Sequence, residues 1–203
     1  SHPVRLIFFG TTDDCEYCPQ IEQLLGEVAE RSDLIRFESH DFKSEAQLAA
    51  EYRLDKAPVF LLAGEEDGKV IDYGIRFFGI PSGHEFTTLI NDILFVSQRD
   101  SGLSDATKAY LAGLKKPLHL EVFVTPTCPY CPRAVVLAHQ LAFESALVTA
   151  DMVEAVEFPE LSARYAVSGV PQTTINYGAA SVVGLHPETE LLEEIRSVLE
   201  QEG

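Results

Sequence analysis

The stretch Val124-Thr125-Pro126-Thr127-Cys128-Pro129-Tyr130-Cys131-Pro132 decides how this chain is read. An apolar, β-branched run from Leu118 to Val124 leads into two cysteines three positions apart, and an apolar pattern of helical period follows from Cys128 to Glu144. Strand, Cys-x-x-Cys and helix in that order suit dithiol chemistry. The first cysteine is expected at a helix N-terminus, where unpaired backbone N–H groups and the macrodipole favour a thiolate. The second is close enough to close a small ring and expel whatever the first has captured. Pro129 suits a first helical position, where its missing N–H costs nothing.

The motif occurs twice. A shift of 113 residues lays Cys15-Glu16-Tyr17-Cys18-Pro19 on Cys128 to Pro132, and Leu24, Ala29, Leu34, Leu48, Tyr52 and Pro58 on Leu137, Ala142, Leu147, Leu161, Tyr165 and Pro171. After a deletion, Gly79-Ile80 through Ile93-Leu94 matches Gly184-Leu185 through Val198-Leu199. This is a duplication rather than a short-period solenoid. Each copy reads as strand (Val4 to Phe9; Leu118 to Val124), helix (Cys15 to Arg31; Cys128 to Glu144) and strand (Leu34 to Asp41; Leu147 to Glu154). A short helix then ends near Tyr52 or Tyr165, a strand begins at Pro58 or Pro171, and a last strand ends at Gly79 or Gly184. The final helix runs to about Val96 or Leu199. Asp67-Gly68 and Asn176-Tyr177-Gly178 mark hairpin turns.

The opening strand–helix–strand demands a parallel pair and the closing hairpin an antiparallel one. The expected class is therefore α/β, with two tandem folds, each a four-stranded mixed sheet with helices on both faces. The expected boundaries are residues 1–99 for the first unit, 100–117 for a helical linker and 118–203 for the second unit. Ser104 is placed to cap a linker helix over Asp105 to Leu114.

Composition narrows the partners. The chain has 203 residues, 46% hydrophobic, with 15 basic against 32 acidic side chains and a formal charge of −17. That length is enough for two small units, and the apolar content is too high for disorder. The negative balance argues against nucleic acid and against an anionic membrane surface. No apolar run has the length of a spanning helix and no secretory leader opens the sequence, so the cytoplasm is the expected compartment. The opening Ser1-His2 resembles an expression scar or a trimmed terminus.

Four cysteines in two close pairs leave three readings open: redox chemistry, structural zinc, and inert disulfides or buried thiols. Zinc pairs of this type are usually separated by ~15–20 residues, whereas here a whole copy intervenes. Pro58 and Pro171 each open a strand 40 residues after the second cysteine of their copy. A proline there is an ordinary structural choice, but its recurrence at one distance from the motif favours a functional role. Tyr17 and Tyr130, inside the motifs, are read as rim residues. His40, His84, His119, His139 and His186 stand far from the motifs in sequence and are expected to be solvated or packed. The remaining acidic residues are expected on solvated faces.

On these motifs the chain resembles the thioredoxin superfamily, and within it the two-unit, glutaredoxin-like protein disulfide oxidoreductases. The resemblance implies dithiol–disulfide exchange with protein substrates. Cys128 and Cys15 would attack and Cys131 and Cys18 would resolve, with no metal or organic cofactor. It implies that Pro58 and Pro171 follow cis bonds near the motifs, and that Ala57 and Val170 offer backbone groups to a substrate strand. The sequence departs from thioredoxins, with Phe9 and Val122 where a buried Asp stands. It departs from glutaredoxins, with Gly79-Ile80 and Gly184-Leu185 in place of a Gly-Gly pair. With few cations near either motif, the expected reductant is a thioredoxin reductase-type flavoprotein rather than glutathione. Asp13, Asp14 and Glu16 around Cys15 oppose a thiolate there, so the second site is expected to dominate. The alternatives are an electron relay between a flavoprotein and a peroxidase, and a zinc-stabilised or structural binding protein.

Overall fold

The computed structural model describes residues 1–13 and 15–201. Asp14, counted among the acidic neighbours of Cys15, lies outside the described residues. The first half contains β1 (Val4–Gly10), α1 (Cys18–Ala29), β2 (Ile35–Asp41), α2 (Ala46–Glu51), β3 (Val59–Glu66), β4 (Lys69–Phe78) and α3 (Glu85–Gln98). After α4 (Asp105–Ala112), the second half repeats the order with β5 (Leu118–Val124), α5 (Cys131–Glu144), β6 (Val148–Glu154), α6 (Pro159–Arg164), β7 (Gln172–Ile175), β8 (Ala180–Val183) and α7 (Glu188–Gln201).

Within each half the pairing is as the connections demand. β1 runs parallel to β2 and antiparallel to β3, and β3 and β4 form a hairpin. β5, β6, β7 and β8 repeat this. The two sheets do not stay separate. β4 pairs in parallel with β6, from Ile75 opposite Ala150 to Phe78 opposite Val153, giving one eight-stranded sheet in the order β2-β1-β3-β4-β6-β5-β7-β8. The edge β4 would otherwise leave unpaired is thereby covered by the equivalent of β2 in the next copy.

Strand alternation sends side chains to two cores. Leu6, Phe8, Leu120 and Val122 face one side, where they meet Ile21 and Leu25 of α1, Leu89 of α3, Val135 of α5 and Ile195 of α7. Ile7, Phe9 and Phe123 face the other, under α2 and α6. Asp67 and Gly68, both with positive φ, form the two-residue turn between β3 and β4. Ser104 caps α4, accepting from the Thr107 N–H, but the helix ends at Ala112. Among the described residues no helix is long and apolar enough to cross a membrane.

Two expectations need correction. The helices behind the motifs begin at Cys18 and Cys131, not at Cys15 and Cys128. Tyr17 and Tyr130 take the N-cap, while Pro19 and Pro132 fall in the first turn and Pro129 stands before it. A proline at the second helical residue still lies among N–H groups that lack intrahelical acceptors, so the helix tolerates it there. The acidic residues are also not all on solvated faces. Glu65, Glu85, Asp92, Glu121, Asp151 and Glu154 are buried. Their burial follows from contacts across the sheet and between the halves, which a local pattern does not reveal.

Candidate functional site

Both motifs sit at the same end of the sheet, just past β1 and β5. In each, the two cysteines form a disulfide, Cys15 with Cys18 and Cys128 with Cys131, at Cα separations of 5.4 and 5.5 Å. The pairing of Phe9 with Val59 and of Phe123 with Gln172 brings Pro58 and Pro171 to that end beside the strand termini. The Ala57–Pro58 and Val170–Pro171 bonds are cis. Each proline carbonyl accepts an N–H from the next strand's closing glycine, Gly79 to Pro58 at 3.2 Å and Gly184 to Pro171 at 2.7 Å.

The two sites differ. At the second, Cys131 is fully buried and Cys128 only 7% exposed. The Cys131 N–H donates to Cys128 Sγ at 3.1 Å, and the Cys128 N–H donates to the Thr125 carbonyl at 3.1 Å. An amide aimed at the first sulfur stabilises negative charge there. Tyr130 projects outward, 63% exposed. At the first site Cys15 is more open, Cys18 is buried and Tyr17 is half-buried. Gly10 closes that site from beneath, since a Cβ there would lie 3.2 Å from Cys18 Sγ.

Carboxylates crowd the first site, some of them from the second half of the chain. The Tyr17 hydroxyl is pushed above its ordinary pKa, chiefly by the Glu16 charge, then by burial and by Glu157 and Glu154. Glu157 accepts the Ile80 N–H at 2.7 Å, immediately after Gly79. Burial, opposed by that N–H and reinforced by Glu154 and Glu16, pushes Glu157 up to about 7. Asp13, exposed, pairs with Lys43 at 3.3 Å.

The second site has an acidic neighbour of another kind. The loop entering α3 touches the second motif's loop, with the His84 N–H donating to the Pro126 carbonyl at 3.0 Å. Glu85, in the first turn of α3, is 1% exposed and pushed up to about 7, mainly by burial. Its Oε2 accepts from Thr88 Oγ1 at 2.7 Å, while its Oε1 has no partner among the described residues. Further along α3, Asp92 meets His139 of α5 at 2.5 Å, both fully buried, and the His139 ring packs edge-on against Phe77. His139 is thus packed, as expected, but also hydrogen-bonded to Asp92. Glu85, Glu154 and Glu157 were not singled out in the sequence. Their positions depend on β4 pairing with β6 and on α3 packing against α5, and no local motif encodes either.

A disulfide-bonded Cys-x-x-Cys at a strand-to-helix junction beside a proline-led strand defines a thiol–disulfide oxidoreductase of thioredoxin fold. Known proteins agree with that class. The thioredoxin domain family matches residues 118–197. A protein disulfide oxidoreductase from Aeropyrum pernix superimposes with a TM-score of 0.90 at 31% identity, covering 98% of this chain and 87% of that one. The alkylhydroperoxide reductase protein AhpF of Enterococcus faecalis superimposes with a TM-score of 0.87 at 29% identity, covering 96% and 91% of the two chains. Among curated sequences, the corresponding alkyl hydroperoxide reductase protein of Staphylococcus epidermidis is 32% identical over 145 residues, 70% of this chain. The chain spans about a quarter of the length of the curated relatives it matches. It belongs to the thioredoxin superfamily, among the two-unit protein disulfide oxidoreductases.

Proposed function

We propose that this chain reduces or exchanges disulfides of protein substrates through both motifs, with the second dominant. Its division at residues 1–99, 100–117 and 118–203 follows the repeat, with α4 in the linker. The Cys128 thiolate attacks one sulfur of a substrate disulfide, and the other substrate sulfur leaves as a thiolate and takes a proton. Cys131 then attacks Cys128 Sγ, the second substrate sulfur leaves, and the motif closes as a disulfide. The substrate gains two electrons and the motif loses two. Cys15 and Cys18 act in the same order at the first site. Pro171 with Val170, and Pro58 with Ala57, receive an extended substrate segment, and Tyr130 and Tyr17 shape the rims.

The single observation that carries the dominance of the second site is the Cys131 N–H donated to Cys128 Sγ, set against the carboxylates around Cys15. The test is turnover of a disulfide-bonded protein client by Cys128→Ser and Cys15→Ser. The larger loss in Cys128→Ser supports the reading, and equal losses overturn it.

A second reading is favoured by the curated relatives, which are alkyl hydroperoxide reductase proteins. In it the chain relays electrons from a thioredoxin reductase-type flavoprotein to a peroxidase. The chemistry at Cys128 and Cys131 is the same, with the peroxidase disulfide as the substrate. Supplying a peroxidase disulfide and an unrelated client in competition separates the readings.

A further inference from the structure

The groove on the α2–α6 side of the sheet contains a cluster that disulfide exchange does not use. β5 and β6 run in parallel with Glu121 opposite Asp151, and His119, two residues before Glu121, points to the same face. His119, Glu121 and Asp151 each offer a ligand atom, and those atoms all lie within 4.8 Å of one another. Glu121 is 2% exposed, and among the described residues its Oε2 has no hydrogen-bond partner, nor does the buried His119 Nδ1. His119 Nε2 lies 2.8 Å from Asp151 Oδ2. The cluster lines a cavity of about 1190 Å³.

Two nearby cations are already engaged. Arg76, in register with Asp151, binds Asp72 through both terminal nitrogens and the carbonyls of Ile75 and Tyr52. Lys56 pairs with Asp55 at 2.9 Å and lies over the Phe78 ring. Two buried carboxylates lie beside one imidazole, with the Tyr165 hydroxyl against Glu121 and Arg53 and Arg164 elsewhere on the cavity wall, and burying a charge demands a counter-charge. The Tyr177 ring, 4.5 Å from the His119 ring, holds the imidazole in place.

We propose that His119, Glu121 and Asp151 bind a divalent cation of the zinc class, its remaining coordination filled from the cavity. An imidazole nitrogen with two carboxylates is a donor set that zinc and its neighbours accept, and three protein ligands leave a coordination position open. The two carboxylates and a neutral imidazole supply the two negative charges that such a cation neutralises. This site is separate from the cysteine motifs, so it does not depend on the disulfide chemistry proposed above.

The test uses the full chain with both disulfides closed, which leaves no thiol to bind metal. Zn²⁺ is titrated by calorimetry, and crystals soaked in Co²⁺ are examined by anomalous scattering. Binding of one equivalent and an anomalous peak among the three side chains are expected. Glu121→Gln, which keeps the side-chain volume, and His119→Asn should each weaken binding by about tenfold or more, with client disulfide turnover unchanged. Absence of a one-equivalent event, a peak elsewhere, or affinity that survives both substitutions overturns the assignment.

Discussion

The Cys131 N–H donates to Cys128 Sγ at 3.1 Å, so in the proposed exchange the amide of the resolving cysteine supports the sulfur that it would later attack. Once the disulfide opens, this N–H faces a thiolate and the bond strengthens. Carboxylates at Cys15 act in the opposite sense. In water-like dielectric at about 7 Å, each opposes a thiolate by about 0.6 kcal/mol before salt screening. Alkylation of the reduced protein, followed by peptide mapping, should therefore label Cys128 faster than Cys15 at neutral pH. The gap should narrow as salt rises. Faster labelling of Cys15, which is the more open sulfur, would mean that exposure outweighs charge.

Glu85 gives a pH dependence with a defined sign. Its folded-state pKa is raised to about 7 from an ordinary value of 4.5. Below the lower value both folded and unfolded chains are protonated there. Between the two, only the unfolded chain loses the proton, so stability falls as pH rises and levels off above about 7. The single-group cost reaches about 3 kcal/mol. Glu85→Gln should match the wild type near pH 4.5 in urea unfolding and exceed it by up to that amount at pH 8. A difference independent of pH would remove the argument.

The Asp92–His139 pair joins α3 of the first half to α5 of the second with no exposure to solvent. Leaving either partner alone buries an unmatched polar group. Asp92→Ala should destabilise the chain by roughly 3–5 kcal/mol. The double change Asp92→Leu with His139→Leu should recover much of the loss. A denaturant series checks both, and additive losses would show that the two residues are not coupled.

Much of this arrangement was legible in the sequence. The repeated motif, the recurring proline and the hairpin glycines gave the order of elements, because turn and strand chemistry is local. The join between halves was not legible. Ile75 opposite Ala150 is an ordinary apolar pair that carries no mark of its partner. Without that join, Glu154 and Glu157 read as surface acids, and the sites differ only through Asp13, Asp14 and Glu16. The helix start was misplaced for a related reason. Apolar periodicity continues back through Tyr17 and Tyr130, and cap geometry alone places the first turn at the second cysteine.

Gly83 tests the contact between α3 and the second motif. Its φ is +59°, and a Cβ there would overlap the Pro126 carbonyl oxygen. Gly83→Ala should destabilise the fold by about 1–3 kcal/mol. It should also slow turnover at the second site more than at the first, as read in Cys15→Ser and Cys128→Ser backgrounds. Equal effects at both sites would show that the contact serves folding only.

The proposed source of electrons rests on charge. Glutathione is anionic, and the segment Glu121 to Tyr130 contains no Lys or Arg, while Glu16, Glu154 and Glu157 surround Tyr17. NADPH with a thioredoxin reductase should sustain client reduction, and glutathione with its reductase should sustain little. Glutathione turnover equal to the flavoprotein route would reject this.

Trapping the covalent intermediate tests the central claim most directly. Reduced Cys131→Ser, which keeps the attacking sulfur and removes the resolving one, is mixed with a disulfide-bonded protein client and analysed by non-reducing mass spectrometry. The expected product is a mixed disulfide between the client and Cys128, released by dithiothreitol and absent from Cys128→Ser. A client that is reduced at the wild-type rate without any adduct at Cys128, or an adduct only at Cys15, would contradict the account.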